Sequence, residues 1–266
     1  LLVAAHEFGC VRQAAMIAAL TQGHPILVRN PGSDALRRRE DLFGGETKSD
    51  LFVLMRAWQY AERCGFDVGR CRELGVHAGA ARQAAQLHRQ FIAAAASAGL
   101  STEHPAPDET AIRRAVLAAF SDHLALRLDR GTLRCAVVHG RKGSIAKESV
   151  VRDDRLVVAA EIHEIEGRER SLNVLLSSVT AVEEDWLIEL FPDDFLLPRA
   201  VEFDAEKRRV VAREEKTFRG LVLESSELPD VPADQAAGLL AAEVIADRLK
   251  LKQWDAEVER WIARVN

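Results

Sequence analysis

Basic side chains gather between positions 134 and 147 of this chain: Arg134, His139, Arg141, Lys142 and Lys147. Cationic groups spaced along extended backbone can meet successive phosphates of a polynucleotide and release its counterions. No Phe, Tyr or Trp lies between 124 and 182, so bases would find no aromatic platform there. Nucleic acid held at this cluster would be held by phosphate and sugar, with weak choice of sequence. The alternative is a set of solvated turns. A second group, Arg82, Gln86 and Arg89, recurs at i, i+4 and i+7. It shares one face of a helix whose other side is Ala and Leu87, and is either a solvated polar face or a surface turned towards nucleic acid. The triplet Arg37-Arg38-Arg39 is a third patch. It reads as a loop segment, either solvated or in contact with phosphate.

Residues for bond-making chemistry do not assemble in this way. Gly140-Arg141-Lys142-Gly143-Ser144 looks like a phosphate loop, but it lacks the G-x-x-x-x-G-K-[ST] spacing and falls between strands. It also matches the GXXG of a KH domain, which should join helices instead. It reads as a barrel turn. His6-Glu7 and His163-Glu164 have no second His at metalloprotease spacing. Cys64, Cys71 and His77 are separated too widely for the common zinc sites. With Cys10 and Cys135, these cysteines read as reduced thiols of a cytoplasmic protein. No nucleophile–base pair and no metal constellation emerges. We therefore assign the chain no catalytic residue, metal or cofactor of its own, and expect no nucleotide-triphosphatase turnover from it.

The elements that would position these groups follow from periodicity and punctuation. The chain has 266 residues, 48% hydrophobic and 29% charged, with net charge −5. That suits two or three units with real cores. Charge is uneven: residues 1–99 carry net +3 and residues 183–231 carry net −7. No apolar run reaches the ~18 residues of a membrane span. The start, LLVAAHEFGC, has no basic lead and begins inside an apolar helical pattern, as a truncated chain would. Helices are expected at 10–20, from Ser49 or Asp50 through Trp58, at 76–97 and at 109–120. Gly and Pro residues make 21–50 a connection, and Pro105 and Pro107 break the chain before 109. Strands are expected at 124–129, 132–138, 144–151, 155–165 and 171–182, punctuated by Gly131, Gly140, Gly143 and Gly167. Five such strands are what a small closed barrel requires. Glu183-Glu184-Asp185 then opens a short helix bearing Trp186 and Leu187. More strand material follows at 200–227, with a turn at 204–207, and the last 35 residues return to helix. Trp58, Trp186, Trp254 and Trp261 read as core or interface anchors. The fold class is α+β and multidomain. Residues 1–120 form a helical region, 121–198 a five-stranded barrel with its closing helix, and 199–266 a mixed β-hairpin and helical segment.

An ordered series of these segments resembles one family. SLNVLLSSVTAVEEDWLIEL, where a strand passes through a Val-Thr step into a helix with a Trp-Leu pair, resembles the end of the oligonucleotide-binding (OB) fold of DEAH-type RNA helicases. LLVAAHEFGCVRQAAMIAAL, SDLFVLMRAWQYAERCGF and HAGAARQAAQLHRQF resemble their helicase-associated region. AVVHGRKGSIAKESVV resembles the barrel, and VEFDAEKRRVVAREEKTFRGLVLESSELP the tail of bacterial HrpB-type members. The chain departs from the family in having neither a Walker loop nor a DEAH sequence. The resemblance implies the C-terminal region of an ATP-dependent RNA helicase. Its RecA-like motor, with ATP and Mg, would lie elsewhere in the parent, and single-stranded RNA would run in a channel that this region closes. Arg82, Gln86 and Arg89 would then face the channel. The rival reading is a protein-interaction or regulatory module, docking through the acidic 183–231 segment and the Trp-bearing tail without touching RNA.

Overall fold

The computed structural model describes residues 1–103, 108–166, 172–249 and 255–265. Pro105, Pro107, Gly167 and Trp254 lie outside the described residues. The chain divides into two compact units, Leu1–Pro192 and Asp193–Asn266.

The first unit begins with helices: α1 (Leu2–Glu7), α2 (Val11–Gln22), α3 (Ser33–Arg39), α4 (Asp50–Arg63), α5 (Val68–Glu73), α6 (Ala78–Ser97) and α7 (Glu109–Phe120). Their starts are set by side chains that accept otherwise unpaired backbone N–H groups. Ser49 caps α4 through the N–H of Leu51 at 3.2 Å, and Asp67 caps α5 through that of Arg70 at 2.8 Å. His77 caps α6 through Nδ1, which accepts from Ala80 at 3.0 Å. The alanines of α6 let it approach α2 and α4 closely. Ala81, Ala84 and Ala85 pack in one cluster with Met16, Leu20 and Trp58. The 21–50 stretch is not only a connection, since it holds α3 and a π-helical turn, Glu40–Gly44. The turn buries Phe43 at 2% exposure, an anchor that Gly and Pro counting does not weigh.

The barrel follows. Its strands are β1 (Leu124–Arg127), β2 (Arg134–Val137), β3 (Arg141–Ile145), β4 (Leu156–Glu166) and β5 (Leu172–Ala181), in the closed order β1-β2-β3-β5-β4. β3 and β5 are parallel and the other neighbours antiparallel. The third strand lies earlier than expected, at 141–145 rather than 144–151. Residues 146–151 fold into a turn in which Ser149 Oγ accepts from the N–H of Val151 at 3.1 Å. The β-branched Val150 and Val151 there read as strand from sequence. Gly143 is where the barrel wall closes. A Cβ on it would stand 2.7 Å from Val174 Cγ2 and 2.9 Å from the Val174 carbonyl oxygen. We expect Gly143→Ala to destabilise the unit by about 1–3 kcal/mol through overpacking. Urea unfolding checks this, and an unshifted midpoint would refute it.

Helices and barrel share one seam, and it uses the Val179–Trp186 run. Ser178 adopts φ +53°, in the left-handed region that non-glycine residues rarely enter, and the next N–H leaves the strand ladder. That N–H, from Val179, donates to Asp50 Oδ2 at 2.8 Å. The other oxygen of Asp50 accepts from Ser149 Oγ at 3.0 Å and from the N–H of Val150 at 2.8 Å. Ser49 and Thr180, both buried, join hydroxyls at 2.7 Å. Ala181 donates its N–H to the Lys48 carbonyl at 2.8 Å and accepts from Arg113 Nε at 2.8 Å. α8 (Glu184–Leu190) closes the seam with buried Trp186, over which the Arg113 and Arg114 guanidiniums lie at 4.8 and 5.4 Å. Arg114 also pairs with Glu189.

The second unit holds an antiparallel sheet: β6 (Phe195–Leu196) and β7 (Arg199–Asp204) on one side of β8 (Arg209–Phe218), and β9 (Leu221–Leu228) on the other. Asp204 Oδ1 organises the expected turn, accepting from the N–H groups of Glu206 at 3.0 Å and Lys207 at 2.9 Å. A second turn divides the long 208–224 run. Arg219 and Gly220 take φ +45° and +78°, as a two-residue hairpin turn of the right twist requires. α9 (Ala233–Ile245) packs on β7 and β8, and α10 (Ala256–Val265) follows. Trp261 on α10 is 65% exposed, so it is not a core anchor. No helix among the described residues is long and apolar enough to cross a membrane.

Candidate nucleic-acid interface

The barrel register sorts the 134–147 cluster into three places. β2 and β3 pair Arg134 with Ser144, Cys135 with Gly143, Ala136 with Lys142 and Val137 with Arg141. Side chains opposite one another share a face, and faces alternate along each strand. Cys135, Val137 and Ile145 are buried in the barrel, while Arg134 and Lys142 are exposed. These two cations are therefore diagonal neighbours on the outer face, about 7–8 Å apart at their Cα atoms for such a pair.

Arg141 has the inward parity and sits at the strand end. Its Nη2 donates to the Asp122 carbonyl at 2.6 Å and its Nε to that of Val138 at 3.3 Å. Those bonds hold the barrel end and leave it little freedom to follow a ligand. His139 lies in the hairpin turn at φ +62°, with Nε2 3.6 Å from Asp122 Oδ1. Lys147 is exposed in the turn beyond the other end of β3, roughly 13 Å away along the strand at ~3.3 Å per residue. The backbone carbonyl of Lys147 accepts from Arg152 Nη2 at 3.1 Å. The 140–144 run begins in a tight turn, with Gly140 at φ +70°, and continues as strand. It offers no helix N-terminus to a triphosphate, so its geometry does not fit the ATP that the resemblance implies for the parent.

On α6, Arg82, Gln86 and Arg89 are exposed along one face while Ala81, Ala84 and Ala85 are buried opposite. Arg82 is partly tied: Nη2 donates to the Phe66 carbonyl at 3.5 Å, and its guanidinium lies 5.8 Å from the Phe66 ring centroid. Arg89 walls an open cleft of about 490 Å³ with Arg12, Trp58, Glu62, His88 and Ile92. His88, which the sequence did not single out, has Nε2 3.2 Å from the Arg12 carbonyl and stands edge-on to Trp58 at 6.0 Å. Burial, the largest influence, pulls its pKa below the usual imidazole value.

The arginine triplet is helical and not in a loop. Arg37, Arg38 and Arg39 form the last turn of α3, where cations suit the negative end of the helix dipole. Arg39 is half-buried and donates from Nη1 to the Val28 carbonyl at 2.9 Å, while Arg37 and Arg38 are exposed. The structure thus joins Arg134 with Lys142, and Arg82 with Gln86 and Arg89. Arg39 and Arg141 are anchored to backbone carbonyls. Among the described residues, no group of three or more His, Cys, Asp or Glu side chains is placed to hold a metal ion.

No family model matches the chain. In sequence it is similar to a protein of Caenorhabditis elegans described as "Putative ATP-dependent RNA helicase rha-2", 31% identical over 163 residues. The match takes in 55% of this chain and spans only 14% of that protein. Among solved structures it is similar to the E. coli DExH-box NTPase HrpB, with 16% identity and a TM-score of 0.48, covering 94% of this chain and 25% of that one. The resemblance to RNA helicases read from the residues is thus borne out in sequence.

Proposed function

We propose that this chain, similar in sequence to an RNA helicase, is the accessory RNA-binding C-terminal region of a DEAH-type helicase of the HrpB kind. In this reading it works in the cytoplasm beside a RecA-like motor that binds ATP and Mg, and it closes the channel through which single-stranded RNA passes. Residues 1–120 serve as the helicase-associated region, 121–198 as the oligonucleotide-binding barrel and 199–266 as the tail. The observation that carries the proposal is the diagonal placement of Arg134 and Lys142, side by side on the exposed face of a closed five-stranded barrel. Small barrels of this kind track a polynucleotide backbone on one sheet face and the adjoining loops. The exposed side of α6, with Arg82, Gln86 and Arg89, supplies a second wall.

Salt-dependent binding of a single-stranded RNA tests this. Removing one cation that neutralises a phosphate should reduce the slope of log K against log salt by about 0.7. Arg134→Ala with Lys142→Ala should therefore flatten the slope by about 1.4, and leave the melting temperature nearly unchanged because exposed charges contribute little to stability. Arg141→Ala should do the opposite, lowering stability more than the slope, because its guanidinium is spent on the carbonyls of Asp122 and Val138. An unchanged slope in the double variant would assign the barrel cations to solvent and favour the docking module.

A further inference from the structure

Two thiols of the helical region face one another. Cys64 ends α4 and Cys71 stands in α5, and their Sγ atoms are 3.9 Å apart. The chain between them is wound tightly enough to keep them there. Gly65 and Phe66 take φ +64° and +56°. The N–H of Phe66 returns to the Ala61 carbonyl at 2.7 Å, and Asp67 caps α5. A disulfide needs its sulfurs ~2.05 Å apart, so the pair must close by less than 2 Å. Cys64 is partly exposed and Cys71 fully buried. Burial, helped by the neighbouring Cys64, pushes the Cys71 thiol up to about 11. The other two cysteines are buried away from this pair. The Sγ of Cys10 meets the Ala111 carbonyl at 3.8 Å and that of Cys135 the Leu133 carbonyl at 3.6 Å.

We propose that Cys64 and Cys71 form a dithiol modification site, which a small-molecule disulfide converts into an intramolecular disulfide. The thiolate of Cys64, the accessible partner, attacks one sulfur of the small disulfide. A Cys64 mixed disulfide forms and one small thiolate leaves. Cys71 then gives its proton to that thiolate and attacks Cys64 Sγ, breaking the mixed disulfide and expelling the second thiolate, which takes a proton from water. Two protein thiols are oxidised to one disulfide, and one small disulfide is reduced to two thiols. In a reducing compartment such a bond is transient, as a redox-responsive bond should be. It would fix the turn carrying Phe66, whose carbonyl and ring both hold Arg82. The chemistry of the site does not depend on RNA binding.

The test uses the full chain, oxidised glutathione, alkylation of the remaining thiols and tryptic mass mapping. Cleavage after Arg63, Arg70 and Arg72 frees residues 64–70 and 71–72 as separate peptides. After oxidation they should travel as one linked species that separates on reduction, while Cys10 and Cys135 remain open to alkylation in the denatured chain. Cys71→Ser should instead trap glutathione on Cys64. Glutathione left on Cys64 in the wild-type chain, oxidation spread equally over Cys10 and Cys135, or four unreacted thiols would each overturn the proposal.

Discussion

Replacing Arg127 with Met should lower the stability of the first unit by about 2–4 kcal/mol, a loss set by buried acceptors left without donors. Arg127 is 7% exposed on β1. Its guanidinium meets three backbone carbonyls: Asp154 through Nε at 3.0 Å, Thr132 through Nη1 at 2.6 Å and Val151 through Nη2 at 3.2 Å. A planar fork of donors suits three acceptors arrayed around it, and an ammonium does not. Met keeps most of the stem volume, so packing is largely preserved and the loss reports the hydrogen bonds. Removing a charge from the interior offsets part of the cost, which is why the expected figure lies below three full unsatisfied-group penalties. Arg127→Lys should fall between Met and wild type. Arg134→Met, at an exposed site on β2, should stay within about 0.5 kcal/mol of wild type. Urea unfolding followed by circular dichroism measures all three. An Arg127→Met chain as stable as wild type would mean that water satisfies those carbonyls. The three carbonyls belong to the connections that follow β1 and β3, and the second of these carries Lys147. Losing Arg127 should therefore also loosen the loop that presents that cation.

Much of the architecture was legible because it rests on local periodicity. The 109–120 helix and the four-residue spacing of Ile112, Val116 and Phe120 coincide with α7, since an apolar stripe on one helical face needs only a neighbour to cover it. The barrel was legible from five β-rich runs divided by turn residues. What failed were features set by partners far away in the chain. The 144–151 run reads as strand through its β-branched Ile145, Val150 and Val151, yet Ser149 and Val150 are drawn onto Asp50, about one hundred residues earlier. Arg141 looked like its neighbour Lys142, and only the register shows that one turns into the barrel end while the other faces out. Arg127 carried no signal at all in LALRLD, because an arginine bonded only to carbonyls has no carboxylate partner to betray it. The Val179–Trp186 run stood out for a reason the sequence could not state. Val179, Thr180 and Ala181 pair with β4 in the barrel and also bond to Asp50, Ser49 and Lys48 of the helical region, so these three positions are constrained twice.

Asp50 is the centre of that shared seam, and Asp50→Ala should cost about 3 kcal/mol at acid pH, the order expected for three donors left without an acceptor. The donors are Ser149 Oγ and the N–H groups of Val150 and Val179. They lie on both sides of the carboxyl, so no single turn can relax to recover them. The cost should depend on pH. Burial, the largest influence, pushes the Asp50 carboxyl above its ordinary 3.8, against the pull of those three bonds and of the Arg152 charge. A carboxyl whose folded pKa is raised binds its proton more tightly when folded. Its contribution is therefore fully present below the unfolded value of 3.8 and declines as pH rises through the folded value, then stays level. Alanine cannot titrate. The stability gap between wild type and Asp50→Ala should narrow as pH rises through that window and remain in favour of wild type at neutral pH. Chemical unfolding at a series of pH values reads the gap directly. A gap that widens with rising pH would show that hydrogen bonding to the carboxylate outweighs its burial, and would reverse this account of the seam.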